Sequence, residues 1–257
     1  MEMINKVPRI TVFFWIIKVF ATTVGETAAD FLATKLGFGL SNTAYIMSGV
    51  FLIALLVQLN LKKYVPGVYW TVVVLISVVG TLLADLLVNK LGVGLSTSSI
   101  IFAVLLAAVF FFWWRSEKTL SVHKIHTTRR ELFYWAAILF TFALGTSAGD
   151  LVSEAFGLGY GTAAVIFAAA IAVTAFAYFV LKVDGVLAFW IAYILTRPLG
   201  ASMGDLLAQP VKDGGMGLGT TSTSVVFFAV IAGLVVYLTF GRKDELTQRG
   251  LKGASAS

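Results

Sequence analysis

Apolar residues run along the chain in eight blocks, at about 10–35, 43–61, 68–90, 97–114, 132–155, 162–181, 185–208 and 222–240, separated by polar or glycine-rich connections. Each block approaches the ~20 residues with which a helix crosses ~30 Å of hydrocarbon. The blocks are too long and too continuously apolar for barrel strands, which alternate every second residue, and only helices or closed barrels satisfy their backbone polar groups in lipid. The pattern therefore predicts an all-α polytopic membrane bundle of eight transmembrane helices.

The blocks repeat in pairs. WIIKVFATTVGETAAD, WTVVVLISVVGTLLAD, WAAILFTFALGTSAGD and WIAYILTRPLGASMGD align without gaps. Trp15, Trp70, Trp135 and Trp190 each stand fifteen residues before Asp30, Asp85, Asp150 and Asp205, with Gly25, Gly80, Gly145 and Gly200 five residues before the aspartates. Glycine-containing turns follow (LGFGLS, LGVGLS, FGLGYG), and the fourth copy carries an insertion in QPVKDGGMGLGTT. The successive Trp-to-Trp intervals of 55, 65 and 55 residues group the repeats as two halves, 1–120 (repeats 10–62 and 65–115) and 121–257 (repeats 130–182 and 185–240 with a tail). Repeats with an even number of spans all start on the same side, so the four are parallel about an axis along the membrane normal.

Composition agrees: 59% hydrophobic and 12% charged residues leave too little polar surface for a water-soluble domain. The bilayer is thus the first expected partner. The net charge of +6 is unevenly placed. Lys6, Arg9, Lys62, Lys63, Arg115, Lys118, Lys124, Arg129, Arg130, Lys182, Arg242, Lys243, Arg249 and Lys252 fall on the side of the termini, against Lys35, Lys90 and Lys212 opposite. The positive-inside rule then puts both termini in the cytoplasm of a multi-pass protein of the bacterial inner membrane. The opening MEMINKVPRI is too polar for a signal-peptide core, and the first block reads as a retained span. No basic stripe interleaved with stacking aromatics points to nucleic acid. There is no cysteine, and both histidines lie in a polar connection, so thiolate chemistry and Cys-ligated zinc are excluded.

The tryptophans, the Gly–Asp pairs and phrases such as KVPRITVFFWIIKVFATTVGETAAD and FWIAYILTRPLGASMGD resemble a bacterial family of uncharacterised membrane-anchored proteins, built from four tandem copies of a two-span repeat of unknown function. The resemblance runs from about residue 7 to 240. It implies eight spans, as the periodicity does, and implies no activity.

Chemistry is concentrated on the odd-numbered helices, where residues four apart share a face. Stepping back from each aspartate gives Asp30, Glu26, Thr22 and Lys18 in the first copy, then Asp85, Thr81 and Ser77 in the second. The third gives Asp150 and Thr146, with Glu154 beyond, and the fourth Asp205, Ala201 and Arg197, with Gln209 beyond. Ionisable groups within membrane helices face the protein interior or water, so these stripes predict a shared central pathway. At 1.5 Å per residue each aspartate lies about 22 Å from its tryptophan, with Glu26, Arg197 and Lys18 progressively deeper. The tryptophans are expected as interface anchors. Pro198, beside Arg197, is expected to kink or break its helix.

Glu26, Asp30, Asp85, Asp150 and Asp205, with the hydroxyls of Thr22, Thr81 and Thr146, form an oxygen-rich set suited to hard cations or protons. Lys18, Arg197 and Glu154 are expected as charge-coupling partners. The leading expectation is a transporter of a small cation, with the five carboxylates as ligands of a hard divalent metal such as manganese or magnesium, coupled to protons and exporting. No resident cofactor is expected. The alternatives are an anion or small organic-solute transporter using Arg197, and a structural or sensory membrane protein. No nucleophile–base pair stands at a recognisable spacing, so enzymatic activity is not expected. A homo-oligomer is left open.

Overall fold

The structure, a computed structural model, describes the backbone of residues 5–254 and the side chains of residues 5–239. The side chains of Arg242, Lys243, Arg249 and Lys252, and the end of the GASAS tail, lie outside the described residues. Eight long helices form: α1 (Val12–Asp30), α2 (Leu40–Asn60), α3 (Pro66–Asp85), α4 (Leu95–Glu117), α5 (Thr128–Asp150), α6 (Gly159–Phe179), α7 (Gly185–Ala208) and α8 (Thr220–Ala254). All eight are long and apolar enough to span a bilayer, counting α8 over Thr220–Thr239. They start where the local chemistry supplies the first-turn amides with acceptors. Thr11 accepts from the Phe14 amide, Thr127 from Arg130, and Asp184 from Val186 and Leu187, while Pro66 needs no amide partner at the start of α3.

The odd helices end in a feature that periodicity does not show. After Asp30, Asp85 and Asp150 the chain widens into a five-residue π-helical turn, at Phe31–Lys35, Leu86–Lys90 and Leu151–Ala155. Gly37, Gly92 and Gly157 then take φ of 65–70° and send the chain back as the even helix. Glycine is required there because a side chain resists that left-handed conformation. α7 lacks the π turn, and the inserted 210–219 segment replaces the short connection.

α1, α3, α5 and α7 close into a ring in which each packs on two neighbours, α7 returning to α1. The even helices lie outside it. Of the most apolar stretch of each span, 56–61% is buried on odd helices and 11–17% on even ones, which fixes which ring faces lipid. Each even helix packs mainly on the odd helix of the next repeat: α2 on α3, α4 on α5, α6 on α7, and α8 back on α1. Hydroxyl pairs fasten two of these joints, Ser98 with Ser147 at 2.8 Å and Ser224 with Thr27 at 2.7 Å. The ring crosses the boundary between the two sequence halves, at α3–α5 and α7–α1, as continuously as it packs within them.

The repeated glycines explain how the ring closes so tightly. A methyl group on Gly25 would overlap Ser77, one on Gly80 would overlap Phe142, one on Gly145 would overlap Arg197, and one on Gly200 would overlap Thr22. Each glycine thus receives the residue eight positions before the aspartate on the next odd helix, and the fourth receives that of the first. Close backbone approach of this kind lets membrane helices associate where no hydrophobic driving force exists between them.

The end of the ring nearest the termini is sealed by aromatic rings, and here the structure corrects the anchoring expected of the tryptophans. Trp70, Trp135 and Trp190 are buried inside the bundle and Trp15 is half-buried. They pack with Phe14, Tyr69, Tyr134, Phe189 and Tyr193, and the indole of Trp190 donates to the Leu120 carbonyl at 3.0 Å. Turned inward, the indoles bury large apolar faces against neighbouring aromatic rings. Val7, Val122 and Ile125 are buried with this layer. Beside it a buried ion pair joins Lys6 to Glu131 at 2.7 Å, and Gln58 donates to the same carboxylate at 2.9 Å. The sequence shows Lys6 only as one more basic residue of the rim.

Candidate functional site

The shared alignment of the four inner helices converts sequence register into levels along the ring axis. Nearest the end away from the termini stand Asp30, Asp85 and Asp150, half-buried, and Asp205, buried. Each of the four has Glu26 as its foremost charged neighbour. Glu26 is therefore the focus of an acidic mouth. Asp30 also accepts from Gln209 Nε2 at 3.3 Å, and exposed Glu154 accepts from the Tyr160 hydroxyl at 3.2 Å. Of the three residues expected to couple charge, Glu154 thus has no cationic partner among the described residues.

One turn deeper the four helices meet around a single guanidinium. Arg197, fully buried on α7, directs Nη2 at Glu26 Oε2 of α1 (2.9 Å), Thr146 Oγ1 of α5 (2.7 Å) and Thr81 Oγ1 of α3. Its Nη1 donates to the Thr22 carbonyl at 3.4 Å. The first repeat thus gives this arginine of the fourth repeat two partners and the second and third one each, and Gly145 of α5 makes the room for the arginine stem. Arg197 Nε and the nearby Ser77 hydroxyl are buried without a hydrogen-bond partner. The hydroxyl of Thr22 turns away to the Val19 and Thr196 carbonyls. Despite Pro198, α7 runs unbroken from Gly185 to Ala208, the proline ring lying in the space left by Gly145 and Gly149 of α5. The break expected there does not occur, and the proline ring is accommodated against the two glycines of α5.

Deeper still, Lys18 is fully buried. Its Nζ lies 4.2 Å from the ring centre of Phe142 and 4.3 Å from that of Tyr193, and it donates to Thr196 Oγ1 at 3.3 Å. No carboxylate is within ion-pair distance of it among the described residues. The co-facial stripes thus lead to the right groups, but not to their pairing. Glu26 goes with Arg197, while Lys18 is held by aromatic rings that sequence reading passes over. Those rings occupy the face positions at which other copies carry Thr22 and Ser77, or Val73 and Ile138, and a phenylalanine in an apolar helix gives no signal of its own.

As for a metal, no group of three or more His, Cys, Asp or Glu side chains among the described residues is arranged to hold one. Glu26 is committed to Arg197, and the four aspartates project from four separate helices. The expected pentad of Glu26, Asp30, Asp85, Asp150 and Asp205 lines one end of the ring and does not form a coordination sphere among the described residues.

With this geometry in hand, comparison with known proteins adds one finding. The family model described as a Repeat of Unknown Function (DUF347) matches four times in tandem, at residues 13–64, 68–119, 133–184 and 188–244. Each match covers two candidate spans. No curated protein and no solved structure shows a significant match.

Proposed function

The chain belongs to the DUF347 repeat family, and from that premise we propose that this multi-pass membrane protein carries a small cation, in exchange with protons, through the centre of its inner ring. One observation supports the reading above the others: the buried Glu26–Arg197 pair, to which all four inner helices contribute, beneath a mouth of four aspartates. Ion-pair groups deep in a membrane protein are costly and are favoured where they serve a pathway. The acidic mouth concentrates cations at the entrance. Arg197 neutralises Glu26 while the site is empty of substrate, and an entering cation takes its place on the carboxylate. The aromatic layer fills the end of the ring away from the aspartates. Transport then requires that layer to part.

The anion alternative draws no comparable support. Both Nη atoms of Arg197 are already occupied by Glu26, threonines and a carbonyl, and an anion would first have to pass the aspartates. In this reading the protein is not an enzyme, and the terminal side, richer in lysine and arginine, faces the cytoplasm of a bacterial inner membrane.

The test is flux into liposomes holding the purified protein, with a pH dye and a divalent-sensitive dye read together over manganese, magnesium, calcium and monovalent cations. Wild type is expected to move a cation against protons, with Glu26→Gln and Asp30→Asn reducing the rate at least tenfold. Folded protein that moves no cation under any gradient would remove the carrier reading in favour of a structural or sensory role.

A further inference from the structure

Lys18 is the buried charge that the exchange described above does not use. It lies on the ring axis one level below Arg197, and the residues around it differ from their counterparts in the other repeats. At its own level the other copies place Val73, Ile138 and Tyr193. The phenyl ring of Phe142 reaches it from the level above. The rings of Phe142 and Tyr193 are nearly parallel, inclined by 6° with centres 6.4 Å apart, and the ammonium straddles them at 4.2 and 4.3 Å. A cation over the faces of two aromatic rings, away from water, is held by their quadrupoles, the arrangement with which proteins recognise ammonium ligands. A lone hydroxyl, Thr196 Oγ1, completes the shell. This is poor company for a hard metal ion, which requires several oxygens, and good company for an alkylammonium.

We propose that Phe142, Tyr193 and Thr196 form an ammonium-binding site, that Lys18 is its tethered occupant, and that the substrate is a small primary ammonium cation. The inference rests on the carrier reading and names its substrate class. Two ammonium groups cannot share the site, so substrate binds only when Lys18 gives up its proton and its uncharged side chain withdraws from the rings. One proton leaves as one cation enters, total charge at the site is unchanged, and exchange with protons follows from the site itself. The charged or titratable groups facing Lys18 are few: Arg197 and Tyr193 from α7, with Tyr69 of α3 and Tyr134 of α5 beyond, beside Tyr193. The described part of α8, which packs on the outside of α1, supplies only Tyr237, near its end. None is a carboxylate that would hold the lysine charged at all pH.

The test uses thermal unfolding of the full-length protein in detergent. Lys18→Ala removes three carbons and the amine, which n-propylammonium restores. A saturable rise in Tm is expected for this variant with n-propylammonium, but not with n-propanol or potassium chloride. Adding Phe142→Leu should weaken that binding roughly fivefold, the loss of one cation–π contact. In wild type, methylammonium affinity should rise with pH by up to tenfold per unit while Lys18 carries its proton, the slope for one displaced proton, and level off once it does not. An equal response of Lys18→Ala to n-propanol would show an apolar void and overturn the proposal. Should that variant not fold, wild type decides, and absent or pH-independent methylammonium binding also overturns it. Ammonium binding without flux of any cation would leave the site standing and remove the carrier reading, whereas metal-ion flux without ammonium binding would do the reverse.

Discussion

A single guanidinium ties the four repeats together, and the cost of disturbing it is asymmetric. Arg197 is fully buried and Glu26 is 5% exposed, so replacing Glu26 alone strands a positive charge in a medium that cannot solvate it. Glu26→Leu should lower stability by about 3–5 kcal/mol, while the double change Glu26→Leu/Arg197→Met should recover most of the loss, since an apolar pair of similar volume needs no solvation. Thermal unfolding of the three proteins in detergent checks both. On the carrier reading flux should be lost in both variants, which separates the pair's effect on stability from the transport proposed for it. At this scale the sequence is informative about membership and silent about pairing. Spacing by fours puts Glu26, Thr81, Thr146 and Arg197 on interior faces. Whether Glu26 meets Arg197 or Lys18 depends on how the helices are rotated and how high they sit, which local periodicity does not encode.

Between helices, the deciding residues are the glycines five positions before each aspartate. Their recurrence marks the repeat, but only the packed ring shows that each one receives a side chain from the next inner helix. Gly80→Ala should force Phe142 and its backbone away from α3, and Gly145→Ala should displace Arg197 and Pro198. Each is expected to cost about 1–3 kcal/mol by overpacking. Gly145→Ala should in addition impair flux, because it moves the guanidinium. Gly94→Ala is the control, since Gly94 precedes α4 with φ of −60° and open space around it, and its effect should stay within about 0.5 kcal/mol. The π turns after Asp30, Asp85 and Asp150 belong to this scale too. They give no hydrophobic signature, because an extra residue in a helical turn leaves the apolar run intact.

For the molecule as a whole, every outer helix depends on the repeat that follows it in the cycle. α4 lies on α5 and α8 returns to α1, so cutting the chain in the 118–127 connection leaves each half with an unpartnered helix. Residues 1–120 and 121–257 expressed separately should each be protease-sensitive in membranes. Co-expressed, they should reassemble and co-purify, since both junctions are noncovalent. Orientation is a further whole-molecule property. Eight spans put both ends on one side, and the charge bias predicts that fluorescent-protein fusions at either terminus glow while alkaline phosphatase fusions stay inactive.

The sequence by itself determined the eight spans, the four tandem repeats and the faces that carry charge. Each of these is a matter of local period and composition, and a chain in lipid has few other ways to satisfy its backbone. Tertiary structure alone decided that repeats exchange their outer helices around a closed ring, that Trp70, Trp135 and Trp190 fill its interior rather than anchor its surface, and that Lys18 rests between Phe142 and Tyr193. Those outcomes follow from closing a ring of four unequal helices, in which every rotation and height is set by the neighbours on both sides. The first repeat cannot carry that information, because its last partner is the fourth.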